Sequence, residues 1–354
     1  MKNKKNNILP SFLVIALIIT AFIYFYYKKV YVPQKEEIEK QNAKIARDAR
    51  QFVIKNIVFD EYLILNENQN QNDIMAKLPL RLKPVDIKNF FEKFIENYKD
   101  IKINFNEINN ENIKQASIEL LNNDKIIFKA RFVRNSKPKI AIILDDWGYN
   151  KDNIAYLEKI KYPFAVSVFP EHIYSKEIAN LAIKNKKLVM LHLPMEPKRK
   201  LPLEKNTLKI NMSEGEIRYI LNKFISEMNF IKGVNNHQGS LATTDKRLMN
   251  IVTKILKENN LFFIDSLTDK QSIAFEIAKE NNLLTNKRDV FIDNKKEFEY
   301  NEQQIEQLKK IAKKKGYAIG IGHDDIITLQ ALEKNMPLAE TEGYEFVYIT
   351  ELLL

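Results

Sequence analysis

The chain has 354 residues, which allows two or three domains or one barrel plus an anchor, and 45% of the residues are hydrophobic, enough for a sizeable core. It contains no cysteine, which excludes thiolate catalysis, disulfides and cysteine-based zinc sites. The net charge of +10 is spread along the chain without a nucleic-acid recognition motif, so we expect an anionic membrane surface or an acidic polymer as the partner, and no nucleic acid.

An uncharged apolar segment near the N-terminus predicts a membrane anchor over residues 1–29. The segment from Ile8 to Tyr27 carries no charge, and lysines flank it on both sides. At ~1.5 Å per residue, a helix of this length crosses the ~30 Å hydrocarbon layer of a membrane. No small-x-small cleavage site follows, which favours an anchor over a cleaved signal peptide. We therefore expect a single-pass protein of the cell membrane whose C-terminal domain is extracytoplasmic, in the periplasm or at the cell exterior.

Residues 30–55 are polar and charged, but apolar residues recur among them at helical spacing. This pattern predicts a stalk helix, with a solvated linker as the alternative. The recurring residues are Ile38, Ile45, Ala49 and Phe52.

Residues 56–134 predict a small α+β domain, with a strand at 57–65, a helix at 85–98 and a hairpin at 115–133. The domain contains no histidine and no pattern typical of a catalytic site. We therefore expect it to be an interaction unit for an envelope protein partner.

From residue 135 to residue 354, short apolar strands alternate with amphipathic helices, which indicates an α/β fold with a parallel sheet. Seven or eight such units favour a closed barrel whose functional edge lies at the carboxyl ends of the strands. An open doubly wound sheet is the alternative, although no glycine-rich phosphate loop follows the first strand. The predicted strands are Lys139–Leu144, Phe164–Phe169, Leu188–Leu191, Gly233–Asn236, Leu261–Asp265, Val290–Ile292, Ala318–Ile321 and Glu345–Ile349.

Residues able to ligate metals or to move protons collect at the predicted strand ends. Because the carboxyl ends of barrel strands meet at one edge, we expect these side chains to lie close together. His172 follows the second strand without a carboxylate or glycine context, and we interpret it as structural or substrate-lining. The remaining set comprises Asp145, Asp146, His192, His237, Asp265, Asp293 and His323.

Asp145 and Asp146 directly follow a buried strand. Two adjacent carboxylates in that position are costly unless something compensates them. A divalent metal ion does so, because it keeps both ionised while one ligates and the other is free to act as a base. Helix N-capping by one aspartate, with the other solvated, is the alternative.

Glu196 follows His192 by four residues, but the prolines around it disfavour a regular helix that would present both to one ion. His237 lies in a glycine-bracketed loop with two asparagines, which is typical of a binding loop. His323 follows two glycines that allow close approach at a strand end.

Six segments then show a resemblance to the divergent polysaccharide deacetylase family, a relative of the carbohydrate esterase family 4 deacetylases. The resemblance covers residues ~137 to 354. It implies an irregular (β/α) barrel of about seven strands, preceded here by the transmembrane helix and the small α+β domain, and it implies a divalent metal. The segments are 142–148, 190–197, 233–240, 263–266, 289–294 and 320–323.

The resemblance also implies roles for individual residues. The first aspartate of the pair, Asp145, is the base and the second, Asp146, is a metal ligand. His192 matches the first of two metal-binding histidines, while Glu196 stands where the second would be. His323 matches a late histidine that acts as the general acid.

The chain departs from the family pattern at the broken histidine pair and at Trp147, where a glycine is usual. We expect His237 to complete a site of Asp146, His192 and His237, which suits zinc because it leaves an open position for water, with Glu196 as the alternative third ligand. Trp147 either stacks on a sugar or packs in the core. Further substrate-contact or ligand-supporting residues are expected to be Glu196, Asn236, Asp265 and Asp293.

Two functions follow from these residues. The first is a metal-dependent hydrolase that removes N-acetyl groups from an envelope polysaccharide or the glycan of peptidoglycan. The second is a non-catalytic module that binds glycan or protein and keeps the deacetylase fold, as the broken histidine pair suggests. Retention of both Asp145 and His323 favours the enzyme, because a binding module needs neither a base nor an acid.

Overall fold

The computed structural model describes residues 9–65 and 72–354 and begins with one continuous helix. This helix consists of α1 (Leu9–Tyr26), a π-helical turn at Tyr27–Tyr31, α2 (Val32–Phe52) and a second π-helical segment at Val53–Val58. Across the described residues it is the one helix long and apolar enough to cross a membrane. Residues 1–8 of the predicted anchor lie outside the described residues.

The second half of this helix belongs to the small domain. Ile45, Ala46 and Ala49 of α2 are buried in the same hydrophobic core as the sheet that follows. The helical prediction for residues 30–55 therefore agrees with the structure, although the helix is a free stalk only before about Asn42, whose side chain accepts a hydrogen bond from Asn122. The strand predicted at 57–65 is wrong, because buried apolar residues at helical spacing extend the helix through Val58.

The small domain is a four-stranded sheet with one face covered by α2 and α3 (Pro84–Ile95). The strand order is β1-β4-β3-β2, and all neighbours are antiparallel except β1 and β4. Aromatic side chains of α3 and β4, among them Phe91 and Phe128, fill the core between the layers. The strands are β1 (Asp73–Lys77), β2 (Ile101–Asn109), β3 (Ile113–Asn122) and β4 (Lys125–Asn135).

The C-terminal region is a parallel sheet of strand order β10-β9-β8-β7-β6-β5-β12-β11, with β13 pairing β5. The strands are β5 (Lys139–Trp147), β6 (Ala165–Val168), β7 (Leu188–Met195), β8 (Gly233–Gln238), β9 (Phe262–Asp265), β10 (Thr285–Lys287), β11 (Val290–Phe291), β12 (Tyr317–His323) and β13 (Glu345–Phe346). The helices are α4 (Tyr156–Lys159), α5 (Ser175–Lys184), α6 (Glu214–Glu227), α7 (Lys246–Glu258), α8 (Ala274–Glu280), α9 (Phe298–Lys315) and α10 (Ile326–Thr341).

The sheet closes at a seam formed by two consecutive residues. Arg288 donates its backbone N–H to Asp265 at the end of β9, and Asp289 donates its backbone N–H to Ile319 on β12. The two edge strands β10 and β11 are therefore one extended stretch of chain that joins both ends of the sheet. Counting this stretch once gives seven strand positions, which confirms the predicted irregular barrel of about seven strands.

The barrel interior has an apolar layer below a polar one. Successive residues of a strand point to opposite faces, so every second residue lines the interior. Ile143, Met190 and Ile319 lie in the apolar layer, which the C-terminal residues Leu352 and Leu353 close from below. Two residues further along their strands, Asp145 and His192 begin the polar layer at the mouth.

A network of ion pairs lies where the small domain meets the closed end of the barrel. Lys139, at the start of β5, has a side chain 4% exposed and lies 2.9 Å from Glu345 and 2.9 Å from Glu351. Glu345 also pairs with Lys77 on β1 of the small domain. Close by, the ring of Tyr62 stacks on that of Tyr348 at 4.7 Å.

We expect Lys139→Ala to lower the free energy of unfolding by about 3–5 kcal/mol, because it leaves the buried Glu351 carboxylate without its partner. Lys102→Ala is the matched control, since Lys102 pairs with Asp124 at the surface with both side chains mostly exposed, and its loss should be below about 1 kcal/mol. Urea unfolding of the two variants measures the difference. Equal losses would show that the stability of the protein does not depend on this buried ion pair.

Candidate metal centre

A bulge in β5 brings both adjacent aspartates to the barrel mouth. In a regular strand, Asp145 and Asp146 would point to opposite faces. The register between β5 and β6 shifts between Leu144 and Trp147, and Asp146 adopts a left-handed backbone conformation with φ 66°. Aspartate tolerates this conformation better than most residues. The inserted residue turns the Asp146 side chain toward the histidines of the neighbouring strands.

Three donor atoms from three strands form a compact cluster at the mouth. Asp146 Oδ1 lies 3.1 Å from His192 Nε2 and 3.2 Å from His237 Nδ1, and the two nitrogens are 3.2 Å apart. A tetrahedral ion with bonds of about 2.0–2.1 Å holds its ligand atoms about 3.3 Å from one another. Asp146 Oδ1 is also buried without an aligned hydrogen-bond donor. Both observations fit a divalent ion of the zinc type.

The charge on Asp146 suits a metal ligand. Burial alone would raise the pKa of this carboxyl group, but close contact with His192 and His237 outweighs burial and holds the pKa far below its usual range. Asp146 is therefore ionised at any pH at which the protein works.

Asn235 connects the metal-site histidine to the neighbouring aspartate. Its side-chain oxygen lies 3.1 Å from His192 Nδ1 and accepts a hydrogen bond from Ser167. Its amide nitrogen donates to both oxygens of Asp145, at 2.9 and 3.1 Å. With the proton on His192 Nδ1, the Nε2 lone pair faces the cluster, as metal ligation requires. Burial raises the pKa of Asp145, and the charge of His192 opposes that rise.

His323 lies beside Asp145, because β12 and β5 pair these two residues in register. Its Nδ1 lies 2.9 Å from Asp293 Oδ1, and its backbone N–H donates to Asp293 Oδ2 at 2.7 Å. Its ring stacks on Phe291 with centroids 5.3 Å apart. Burial lowers the pKa of His323, but the hydrogen bond and charge of Asp293 outweigh burial and raise it to about 9.

Two of the residues expected near the metal lie elsewhere. Glu196 accepts a hydrogen bond from the backbone N–H of Ile210 at 2.9 Å and is not among the three clustered donors. Trp147 is 0% exposed and packs in the core between the strands and the helices. A sugar therefore cannot stack on Trp147, which the bulge turns away from the mouth.

Asn236 and Asp265 shape the loops behind the mouth. Asn236 accepts from the Ser266 N–H and donates to the Gln238 carbonyl, both at 2.9 Å. Asp265 accepts hydrogen bonds from Ser272 Oγ and from the Leu267 N–H. Their side chains are thus engaged in turns and do not reach into the cluster. His172 lies at the rim, where its Nε2 is 2.8 Å from Glu204.

Three residues that support the cluster were not predicted from the sequence. Asn235 and Ser167 form the hydrogen bonds described above, and Phe169 packs its ring 4.9 Å from His192 and 4.7 Å from His237. The position of Asn235 could have been predicted from the alternating direction of side chains along β8, because Asn235 precedes His237 by two residues and so faces the same side. Ser167 and Phe169 carry no comparable sequence pattern.

Comparisons with known proteins agree with the fold. A family model described as divergent polysaccharide deacetylase matches residues 142–353. The chain is 33% identical over 202 residues to the uncharacterized protein YibQ of Escherichia coli K12, an alignment that covers 56% of this chain and 63% of YibQ. It is 32% identical over 205 residues to an uncharacterized protein of Haemophilus influenzae, covering 57% of this chain and 73% of that protein. The chain thus spans less than two thirds of YibQ.

A solved structure shows the same fold. The crystal structure of an uncharacterized protein from Agrobacterium tumefaciens C58 matches with a TM-score of 0.57 and 18% identity, and the match covers 60% of this chain and 88% of that one. At this level of identity the likeness concerns the barrel fold alone.

We expect Asp146→Ala, His192→Ala and His237→Ala each to reduce bound zinc, with the dissociation constant rising more than about tenfold, because each removes one of three protein ligands. Glu196→Gln is the control, since its carboxylate bonds to a backbone N–H outside the cluster. Zinc titration of the purified variants, with elemental analysis, measures the change. Zinc loss in Glu196→Gln together with full zinc content in His237→Ala would identify Glu196 as the third ligand instead.

Proposed function

The chain belongs to the divergent polysaccharide deacetylase family, and on this premise we propose that it is a metal-dependent hydrolase that removes N-acetyl groups from a glycan of the cell envelope. The observation that carries the proposal is the arrangement at the barrel mouth. Asp145 and His323 lie side by side on paired strands, next to the donors of Asp146, His192 and His237. A base, an acid and a metal cluster are the groups that amide hydrolysis needs.

The residues divide the reaction between them. A divalent ion held by Asp146, His192 and His237 would polarise the acetyl carbonyl and acidify the attacking water. Asp145 accepts the proton that this water loses as its oxygen bonds to the carbonyl carbon. His323, protonated at neutral pH, donates a proton to the amide nitrogen as the C–N bond breaks. The products are acetate and a free amino sugar.

Supporting contacts keep each group in the required protonation state. Asn235 donates to Asp145, which favours the ionised carboxylate that can take a proton. Asp293 accepts from His323 Nδ1 and thereby stabilises the imidazolium. Because Asp293 is itself buried, its charge is screened by solvent less than that of a surface carboxylate.

The same proposal places the protein in the envelope. The apolar helix α1 anchors the chain in the cell membrane as a single span, and residues beyond it lie outside the cytoplasm, where polysaccharide or peptidoglycan is available. The barrel of residues 135–354 is the catalytic unit. Residues 56–134 and the end of α2 form the small domain, which we take to bind an envelope protein partner.

We expect the purified full chain, supplied with zinc, to release acetate from N-acetylated chito-oligosaccharides or peptidoglycan. Asp145→Asn and His323→Ala should each lower the rate about 10²–10⁴-fold while keeping bound zinc, because they remove proton transfer and leave the ligands intact. An acetate assay with parallel zinc analysis tests this. Glycan binding without acetate release would support the non-catalytic module, which the broken histidine pair favours.

The pH dependence offers a separate test. His323 acts in its protonated form, so kcat/KM should fall as the pH rises through about 9. Asp293→Asn removes the charge that raises this pKa, and the fall should move toward the ordinary histidine pKa of about 6.5. Asp124→Asn, an exposed aspartate of the small domain, is the control and should leave the profile unchanged. An unmoved alkaline limb in Asp293→Asn would assign the proton donation to another group.

A further inference from the structure

An exposed aromatic ring stands at the rim of the barrel mouth. Within the barrel, whose residues are all described, Tyr149 and Tyr219 are the tyrosines that expose a large part of their surface, 46% and 73% respectively. Tyr219 lies on the outer helix α6, whereas Tyr149 follows Asp146 by three residues. The Tyr149 ring is therefore close to the metal centre and open to solvent.

The Tyr149 ring is held in one orientation. Its hydroxyl donates a hydrogen bond to Glu204, and the second oxygen of Glu204 lies 2.8 Å from His172 Nε2. The imidazole of His172 packs 4.2 Å from the Tyr149 ring, and Phe169 packs 5.0 Å from it. A ring fixed in advance loses little conformational entropy when a ligand covers it.

The ring is also coupled to the metal centre through a single residue. Phe169, which is 0% exposed, contacts Tyr149 on one side and the rings of His192 and His237 on the other. A ligand unit lying on Tyr149 is thus two ring contacts away from the donor cluster. That separation suits the unit next to the one whose amide is cleaved.

The loop that carries Glu204 adds apolar surface at the same rim. Leu201 and Leu203, which are 46% and 42% exposed, lie in the loop between β7 and α6. Gln238, at the end of β8, donates to the Pro202 carbonyl and fixes this loop across the mouth. An aromatic face beside apolar side chains matches the C–H face of a pyranose ring. The hydroxyl groups at the edges of the pyranose ring remain solvated.

We propose that Tyr149 is the platform of a second sugar subsite, which binds the saccharide unit adjacent to the one that is deacetylated, and that Glu204 and His172 hold the platform in position. This inference rests on the proposed function, because it takes the ligand to be an N-acetylated glycan. It makes the substrate class an oligomer of at least two linked sugars. Tyr149 thus takes the sugar-stacking role that was one of the two alternatives for Trp147.

The test compares sugars of different length on the full chain loaded with zinc. The wild type should show a higher kcat/KM for N-acetylated chito-oligosaccharides of two or more units than for the single sugar. Tyr149→Ala should lose about tenfold on the longer substrates, in line with one aromatic contact, while the single sugar changes by less than about twofold. Tyr149→Phe, which keeps the ring, should retain most of the advantage, and Tyr219→Ala is the matched control with no change.

Binding measurements separate failure of the subsite from failure of the proposed function. Calorimetry with Asp145→Asn measures oligosaccharide binding without turnover, alone and combined with Tyr149→Ala. Acetate release with equal length dependence in the wild type and Tyr149→Ala would overturn the platform and leave the function standing. Absence of acetate, with binding that still requires Tyr149, would overturn the function and support the subsite. A protein that neither binds nor cleaves the oligosaccharides would overturn both, and zinc content verifies that each variant is folded.

Discussion

The site depends on one backbone constraint, the left-handed conformation of Asp146. A strand presents neighbouring side chains to opposite faces, yet the proposed reaction needs both carboxylates on the same side. The bulge in β5 resolves this conflict at a cost of about 1–2 kcal/mol for a residue with a Cβ atom, less for aspartate than for most. Once Asp146 is turned inward, its carboxylate meets His192 and His237 from the strands beyond β6, and Asp145 remains on the regular inner face beside His323.

The same bulge explains where sequence reasoning succeeded and where it failed. Asp146, His192 and His237 were predicted together because strand ends converge at one edge of a barrel, and that rule does not depend on local detail. The sequence left two positions open for Trp147, at the sugar or in the core, because an inserted residue reverses the direction of the side chains that follow it and no feature of the sequence marks the insertion. The barrel and its strands could be predicted because short apolar segments alternate with amphipathic helices. By contrast, β10 is only three residues long and too short to show a periodic pattern in the sequence. Glu196 could not be placed because its partner is the backbone N–H of Ile210, and backbone partners leave no trace in side-chain patterns.

The apolar and polar layers inside the barrel have different roles. The lower layer is closed by the C-terminal residues and by the small domain, so water is excluded from below. The upper layer is a connected network in which Asn235 bonds to Ser167, His192 and Asp145, and every one of these groups is nearly fully buried. Such a network is stabilising only when all its members are satisfied. This explains why an amide, with both a donor and an acceptor, occupies the position between a carboxylate and an imidazole.

The unbroken helix from Leu9 to Val58 has a mechanical consequence. It reaches the closed end of the barrel, where Tyr62 donates to the Lys187 carbonyl just before β7, so the mouth points away from the helix. At ~1.5 Å per residue the helix is about 75 Å long, and its exposed stretch between Tyr31 and Asn42 acts as a rigid spacer. In a chain that α1 holds in a bilayer, the length of this helix therefore sets the distance between the lipid and the barrel mouth. Each residue added to that stretch would lift the barrel by about 1.5 Å and swing it by about 100° around the helix axis. The height of the barrel above the membrane and its rotation around the helix axis therefore cannot be changed independently.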